Sequence, residues 1–398
     1  MSPRSEHTTA VSRRAQEITP FLVMDILERA KELERRGEHI IHLEIGEPDF
    51  DTPLHIRNAA KAALDEGQTH YVPAPGIPPL REAIVEFLED GNRYRGASPD
   101  QVVVTPGAKP IMWFTILALI DPGDEVIYPD PGFPMYESIT NMVGGKAVPL
   151  PLREENEFRI DPEELEKLVT PKTKLLIINT PHNPCGSALT KEDVEKIADI
   201  AIRNDLYVMS DEVYWALLYG GRTHHSVLDV PGMAERTILL DGWSKTWAMT
   251  GWRLGYGVYP TELVEPVTRL VINSVSCTSA FSQHAAIAAL KGPMDEVNAM
   301  VAEFDLRRQL IVDGLNAIDG ISCVDPGGAF YVFPNIKELG RPAKEVMQHI
   351  LNEAGVACLW GGAFGQYGEG YLRFSYANSQ ENIEAALDAV ANVLPGLA

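Results

Sequence analysis

The chain is poor in basic residues: 34 lysines and arginines stand against 56 aspartates and glutamates, a formal net charge of -22 over 398 residues. A surface this acidic repels phosphate polymers, which argues against nucleic acid and anionic membranes as partners. Long apolar runs are also missing. The longest, Ile111 to Ile120, covers about half of a bilayer crossing. Met1 to Gln16 is polar and holds no apolar signal core, so a cytoplasmic location is expected rather than export. Cysteine is scarce. Cys185, Cys277, Cys323 and Cys358 lie far apart with no Cys-x-x-Cys pair, which favours free thiols in a reducing compartment and supplies no metal-ligand spacing. The one histidine doublet, His224-His225, follows Gly-Arg-Thr and is expected to be a solvated loop, not a metal site. No internal repeat or low-complexity linker interrupts the chain.

What is present is an ordinary globular composition, 45% hydrophobic and 23% charged, long enough for two or three domains. Apolar spacing after Pro20 predicts a helix, and Ile40 to Ile45 alternates like a strand before the irregular Gly46-Glu-Pro-Asp-Phe50 loop. The proline-rich stretch Tyr71 to Pro79 is a stiff loop, followed by a helix from Leu80 to Leu88. Short buried strands are then predicted at Gln101–Thr105, Glu125–Tyr128, Lys174–Asn179, Leu206–Met209 and Thr237–Leu240, separated by helix-length segments. Thr190 with Asp193 reads as a capping box opening one of those helices. Such alternation implies a mostly parallel, seven-stranded-type sheet covered by helices on both faces, an α/β fold. After Leu290 the pattern changes to a long helix (Met294 to Ala317), a strand near Gly328–Phe333, a helix at Ala343–Glu353, a strand at Tyr371–Ser375 and a last helix at Gln380–Val393. This reads as a smaller α+β domain. The expected division is an amino-terminal arm with part of the small domain at 1–48, a large domain at 49–290 and the small domain at 291–398.

The chemistry gathers just beyond the predicted strand ends, where open α/β sheets bind ligands. Lys245 follows the strand Thr237–Leu240, with Ser244 before it and Arg253 eight positions on. An amine held among cations and apolar rings loses its proton more easily, as a lysine that forms a Schiff base with a phosphorylated aldehyde requires. A pyridoxal 5'-phosphate site also needs a buried carboxylate beside the ring nitrogen, for which Asp211 is the candidate. It needs donors to the ring hydroxyl, which Asn183 and Tyr214 offer. Its phosphate needs cations and amides, which Arg253, Ser244 and the Gly107-Ala108-Lys109 turn supply. Phe133 is placed to cover the ring face. Each residue has a plainer alternative: Asp211 as a helix cap, Tyr214 and Phe133 as core, Arg253 as half of a surface ion pair.

Together the motifs resemble those of the pyridoxal-phosphate-dependent aminotransferases of class I/II, the aspartate aminotransferase family of fold type I. The resemblance rests on Gly46-Glu-Pro-Asp-Phe50, Tyr71 with Gly76-Ile-Pro78, Asn179-Thr-Pro-His-Asn-Pro-Cys-Gly186, Asp211-Glu-Val-Tyr214, Ser244 to Arg253 and Arg373-Phe-Ser375. It implies that Lys245 forms the Schiff base and shuttles a proton, that Asp211 pairs with the pyridine nitrogen, and that Asn183 and Tyr214 bond the phenolic oxygen. It further implies that Arg373 clamps the substrate α-carboxylate as a bidentate fork, helped by Asn183 and the Gly46 amide. Tyr71 would reach the phosphate of a neighbouring subunit, so a homodimer is expected.

The chain departs from the family pattern at His182, Cys185, Pro110 and Trp360. The first three leave the chemistry intact. Trp360 either shapes the substrate pocket or fills core, and core is favoured. The implied reaction is ping-pong transamination between an L-amino acid and a 2-oxo acid. Lys109 either reads an acidic side chain, favouring aspartate or glutamate, or only holds the phosphate turn. A carbon–sulfur β-lyase on the same cofactor is the alternative. A DNA-binding sensor of this fold is opposed by the presence of Lys245 and by the lack of a basic helix-turn-helix before Gly46.

Overall fold

The computed structural model describes residues 22–91 and 93–397, with short pieces at 11–12, 15–16 and 18. Most of the polar segment 1–16 therefore lies outside the described residues. Seven strands form the central sheet: β2 (Val102–Thr105), β3 (Glu125–Asp130), β4 (Lys146–Pro151), β5 (Thr173–Asn179), β6 (Tyr207–Asp211), β7 (Thr237–Gly242) and β8 (Gly255–Val258). Their order is β2-β8-β7-β6-β5-β3-β4. The ladders from β7 through β4 are parallel, and β8 runs antiparallel to both β7 and β2.

Both faces are covered, and the side chains of β5 show how. Leu175 and Ile177 pack with Met112, Ile116 and Val267 from the helices Lys109–Leu119 and Thr261–Ser274. Leu176 and Ile178 point the other way, onto Val194, Ile197 and Ala201 of the helix Lys191–Arg203. Every one of these four strand residues is apolar because no face of a doubly covered sheet meets water. Each such side chain contributes about 1.5–3 kcal/mol on burial. The helix Lys191–Arg203 opens with the expected capping box, Thr190 and Asp193 each accepting the other's backbone N–H. At the β2 end, Val102, Val104 and Val258 pack beneath the helices Pro78–Asp90 and Ala280–Lys291.

A smaller α+β part draws on both ends of the chain. β1 (Ile41–His42) pairs in parallel with β10 (Val356–Ala357). The strands β9 (Tyr331–Val332), β11 (Leu359–Trp360) and β12 (Leu372–Ser375) form an antiparallel sheet. The long helix Asp295–Asn316 packs against Gln380–Val393, whose bounds match the predicted ones.

Three elements are shorter than the sequence suggests. β1 stops at His42 because the next residues change partners: Leu43 N–H bonds Ala357, while the Leu43 carbonyl accepts from Ser375 N–H at 2.7 Å. β9 begins only at Tyr331, after Ala329 at φ +59° breaks the extended run. The helix from Ala343 ends at His349 and passes into a π turn, Ile350–Ala354, closed by Gly355 at φ +65°. The strands β4 and β8 and the helix Leu54–Asp65 were not anticipated.

Candidate active site

A cavity of about 490 Å³ opens beyond the carboxyl ends of β5, β6 and β7. Gly46, Ala108, Lys109, Phe133, Asn183, Asp211, Tyr214, Ser244, Lys245, Arg253 and Arg373 all line it. Chain segments up to 329 residues apart thus converge, as in the bond from Arg373 Nη2 to the Glu44 carbonyl. Gly107, expected to hold the phosphate, does not line the cavity and packs against Arg253. Tyr71 is elsewhere, 90% exposed on the surface of the single chain.

Lys245 reaches into the cavity from the turn after β7, its Nζ donating to the Gly46 carbonyl and lying 5.7 Å from the Phe330 ring and 5.9 Å from that of Tyr214. Burial lowers its pKa to about 8; Glu47 opposes the shift, while Arg373, Arg253 and Lys109 add to it. Asp211 closes β6 and is buried. It accepts from Tyr136 Oη at 2.6 Å and from Val213 N–H at 3.4 Å. Burial pushes its carboxyl up to about 7 against those two bonds, and the nearby Asp241 and Glu212 push the same way.

An anion cradle lies at the other end. The helix Lys109–Leu119 begins without a side-chain cap, Pro110 in its first turn has no N–H, and the Ile111 N–H bonds the Ala108 carbonyl at 3.0 Å. Arg253, at φ +52°, lays its guanidinium against Gly107, at φ +90°, where an added Cβ would collide with Nη2. A Cβ on Gly255 would likewise collide with the Gly107-Ala108 backbone. The amine of Lys109 is lowered in pKa by burial and then by Arg253, and it sits 5.4 Å from the Phe133 ring.

Arg373 forms the third corner. It is 3% exposed, donates from Nη1 to Asn183 Oδ1 at 3.1 Å, and lies 4.5 Å from the Tyr331 ring and 4.9 Å from that of Phe364. Burial lowers its pKa, though a guanidinium stays charged at any working pH. Asn183 is itself fixed, its backbone N–H donating to Asn179 Oδ1 at 2.8 Å.

The family profile described as Aminotransferase class I and II matches residues 38–390. The chain belongs to this family. It is 44% identical to an aspartate aminotransferase of Pyrococcus abyssi and 43% identical to aromatic-amino-acid aminotransferase 2 of Thermococcus litoralis, in each case over 97% of this chain and 98% of the other. The solved aspartate aminotransferase of Thermus thermophilus with maleate superimposes with a TM-score of 0.92 at 37% identity, covering 96% of this chain and 99% of that one. This protein is accordingly a pyridoxal 5'-phosphate-dependent aminotransferase of fold type I, acting on an amino acid and a 2-oxo acid, and these relatives favour transamination over the β-lyase alternative.

The cavity of this aminotransferase suits that cofactor. The lack of a side chain on Gly107 lets the Arg253 guanidinium lie against it, so Arg253, Lys109 and Ser244 line one end of the cavity as a cationic place for a phosphate, and the polar neighbours of Asp211 named above are a phenol, an amide and two further carboxylates, so a protonated ring nitrogen would be its natural cation. Several lining residues were not foreseen. Tyr136, Asn179 and Tyr331 support Asp211, Asn183 and Tyr214 respectively, Tyr331 through a 2.9 Å bond between hydroxyls. The cue for Tyr136 was its place three residues beyond Phe133; Tyr331 lay hidden in an aromatic strand. A Cβ on Gly46 would strike the Tyr331 hydroxyl, so that glycine is a packing requirement.

One expectation is corrected. His224 is not in a solvated loop: its side chain is 7% exposed, with Nε2 2.6 Å from Glu212 Oε2, a carboxylate twelve residues away that local sequence does not disclose. Among the described residues no group of three or more His, Cys, Asp or Glu side chains is placed to hold a metal, and no helix is long and apolar enough to cross a membrane. Trp360 does not line the cavity; it packs between two core clusters with Lys344 Nζ 5.2 Å from its ring.

Proposed function

We propose that Lys245 is the covalent and proton-shuttling residue of the transamination, Asp211 the partner of the ring nitrogen, and Arg373 the clamp for the substrate α-carboxylate. The observation that carries this reading is the convergence of one amine at about 8, one buried carboxylate and one buried guanidinium on a single cavity. When bound, the cofactor supplies an electron sink that accepts the pair left by the substrate Cα–H bond. Lys245 is the base suited to take that proton and return it, because at neutral pH an appreciable fraction of it is already unprotonated. Arg373 and Asn183 fix the amino acid by its carboxylate, turning Cα toward Lys245. Tyr214 and Asn183 donate toward the ring oxygen, Arg253, Ser244 and the turn Gly107-Ala108-Lys109 hold the phosphate, and Phe133 covers the ring. Phe364 and Tyr331 flank Arg373, shielding its contact from water.

The reading extends to substrate and assembly. Acidic amino acids, aspartate or glutamate, are the proposed donors, with Lys109 receiving the distal carboxylate. Aromatic donors are the second reading, favoured by Leu27, Ile45, Met112 and Phe364 in the lining. The exposure of Tyr71 supports a homodimer in which it serves the neighbouring site, and four free cysteines suit a cytoplasmic location. A division at 1–48, 49–290 and 291–398 is supported by the pairing of β1 with β10 and by the containment of the central sheet within residues 102–258.

The test is a half-reaction screen: holoenzyme is mixed with each amino acid in turn, and conversion to the pyridoxamine form is followed by absorbance. Aspartate and glutamate are expected to convert fastest. Faster conversion by phenylalanine and tyrosine would replace the first substrate reading with the second. Lys245→Ala is expected to abolish the visible band of the lysine-bound cofactor and nearly all turnover; an unchanged spectrum would refute the assignment of Lys245.

A further inference from the structure

The ends of β6 and β7 carry three buried carboxylates where the chemistry needs one. Asp211 closes β6, Glu212 follows it, and Asp241 lies in the neighbouring β7, next to Leu240, the register partner of Asp211. Their exposures are 3%, 0% and 1%. Asp211 lines the cavity, while Glu212 and Asp241 do not. Three anions crowded into a dry interior repel one another, and the one that yields by taking a proton is the one with least support.

The support is unequally shared. Arg93, buried after the helix Pro78–Asp90, donates from Nη1 to Asp241 Oδ2 at 2.7 Å and from Nη2 to Glu212 Oε2 at 3.1 Å, with its guanidinium carbon 4.3 Å from the Trp215 ring centroid. Glu212 also accepts from Ser210 at 2.9 Å and Ser226 at 2.6 Å, and it meets His224. Asp241 accepts from Tyr256 at 3.0 Å and from the Gly242 N–H at 2.6 Å. Burial raises Glu212, but His224 and Arg93 outweigh it and hold the carboxyl at about 2. Asp211 has the Tyr136 hydroxyl and the Val213 N–H, its carboxyl is raised by Glu212 and Asp241, and no arginine bonds it in that network.

We infer that Arg93 is a positioning residue for the cofactor: by neutralising Glu212 and Asp241 it lets Asp211 remain an anion opposite the ring nitrogen. The inference rests on the proposed role of Asp211. Arg93 touches neither cavity nor substrate. It acts through the field that its two carboxylate partners would otherwise exert on the third, in a medium that screens poorly.

The test measures affinity of the apoprotein for pyridoxal 5'-phosphate by equilibrium dialysis between pH 6 and 9. In Arg93→Met the Asp211 carboxyl, already raised to about 7, is expected to rise further. Affinity at pH 7 is expected to fall about tenfold or more, the effect of one pKa unit on an ion pair, and to recover as pH rises. Glu212→Gln removes one of the repelling charges and is expected to move the wild-type profile to lower pH. The double variant Arg93→Met/Glu212→Gln is expected to regain most of the lost affinity, which a mere packing defect would not allow. A loss equal at every pH and unrescued by Glu212→Gln overturns the inference, as does a Glu212→Gln profile that does not move. That last arm decides the matter even if Arg93→Met fails to fold. Asp211→Asn separates the two failures. If it keeps wild-type affinity and profile, the role of Asp211 itself is wrong. If it weakens binding and flattens the profile while the other variants behave as wild type, only the role of Arg93 is wrong.

Discussion

Lys245 offers the sharpest quantitative test, because its environment contains one group that opposes the rest. Burial comes first in lowering its pKa from the ordinary 10.5 to about 8, with Arg373, Arg253 and Lys109 adding to the shift, and Glu47 alone among these raising it. For an amine at about 8 rather than 10.5, the neutral fraction at pH 7 rises from roughly 0.03% to roughly 10%, about 300-fold. Only the neutral amine attacks a carbonyl. The apoprotein should therefore react with a small neutral aldehyde at a rate that climbs about tenfold per pH unit below 8 and levels off above it. An uncharged probe keeps the ionisation of a phosphate out of the profile. Replacing Glu47 by Gln removes the opposing charge and should move the inflection below that of the wild type, leaving the plateau in place. Glu47 is exposed at the cavity mouth and bonded to Thr250 Oγ1, so its influence is screened by solvent and should fade as salt is raised. A wild-type rate still rising past pH 10, or an inflection that moves upward in Glu47→Gln, would refute the account of how this amine is activated.

Two further outcomes are expected. Arg373→Ala should leave the cofactor in place but raise KM for the amino acid, with kcat/KM falling by the equivalent of about 2–5 kcal/mol, as when one partner of a buried charge pair is removed. Arg373→Lys should recover little of this, lacking the planar fork; loss of cofactor instead would mean that Arg373 belongs to the phosphate end. His42, on β1, bridges Glu44 at 2.8 Å and Glu34 of the helix Leu22–Arg35 at 3.2 Å, and its hydrogen bond to Glu44 leads in raising its pKa from 6.5 to about 9. A folded-state pKa above the unfolded one gives stability that is full below pH 6.5 and lost as pH rises through about 9. The urea midpoint should fall across that window, and His42→Gln should flatten the fall.

Much of the fold was legible because the parallel strands β5, β6 and β7 are short apolar runs ending in polar residues, and their helices repeat at helical spacing. What escaped follows from the same rule. β4 carries Pro149 and Pro151 and lies at the sheet edge, where a missing N–H is tolerated. β8 reads Gly-Tyr-Gly-Val, and its glycines exist because Gly255 must lie flush on the Gly107-Ala108 backbone, a long-range demand with no local mark.

The site shows the same division more sharply. Asn183, Asp211 and Lys245 stand at or just beyond the carboxyl ends of predicted strands, so strand prediction alone brings them to one edge of the sheet, whereas Arg253 precedes β8, which was not predicted. Arg373 belongs to a different sheet, and sequence spacing gives no reason for it to face Asn183. Only the packing of β12 beside β9 and Leu43 delivers it. The residues that tune the site were invisible for a further reason. Tyr136 meets Asp211 across 75 residues, Arg93 meets Asp241 across 148, and Tyr214 meets Tyr331 across 117. None of these supporting partners would itself contact the reacting atoms, so no motif of reacting groups includes them. Their presence follows instead from a satisfaction argument. A carboxylate, phenol or guanidinium taken out of water must find partners. Once Asp211-Glu212 is placed at a buried strand end, two buried anions require donors and at least one cation from elsewhere in the chain. Sequence can therefore state that such a cation exists, and only the fold identifies it as Arg93.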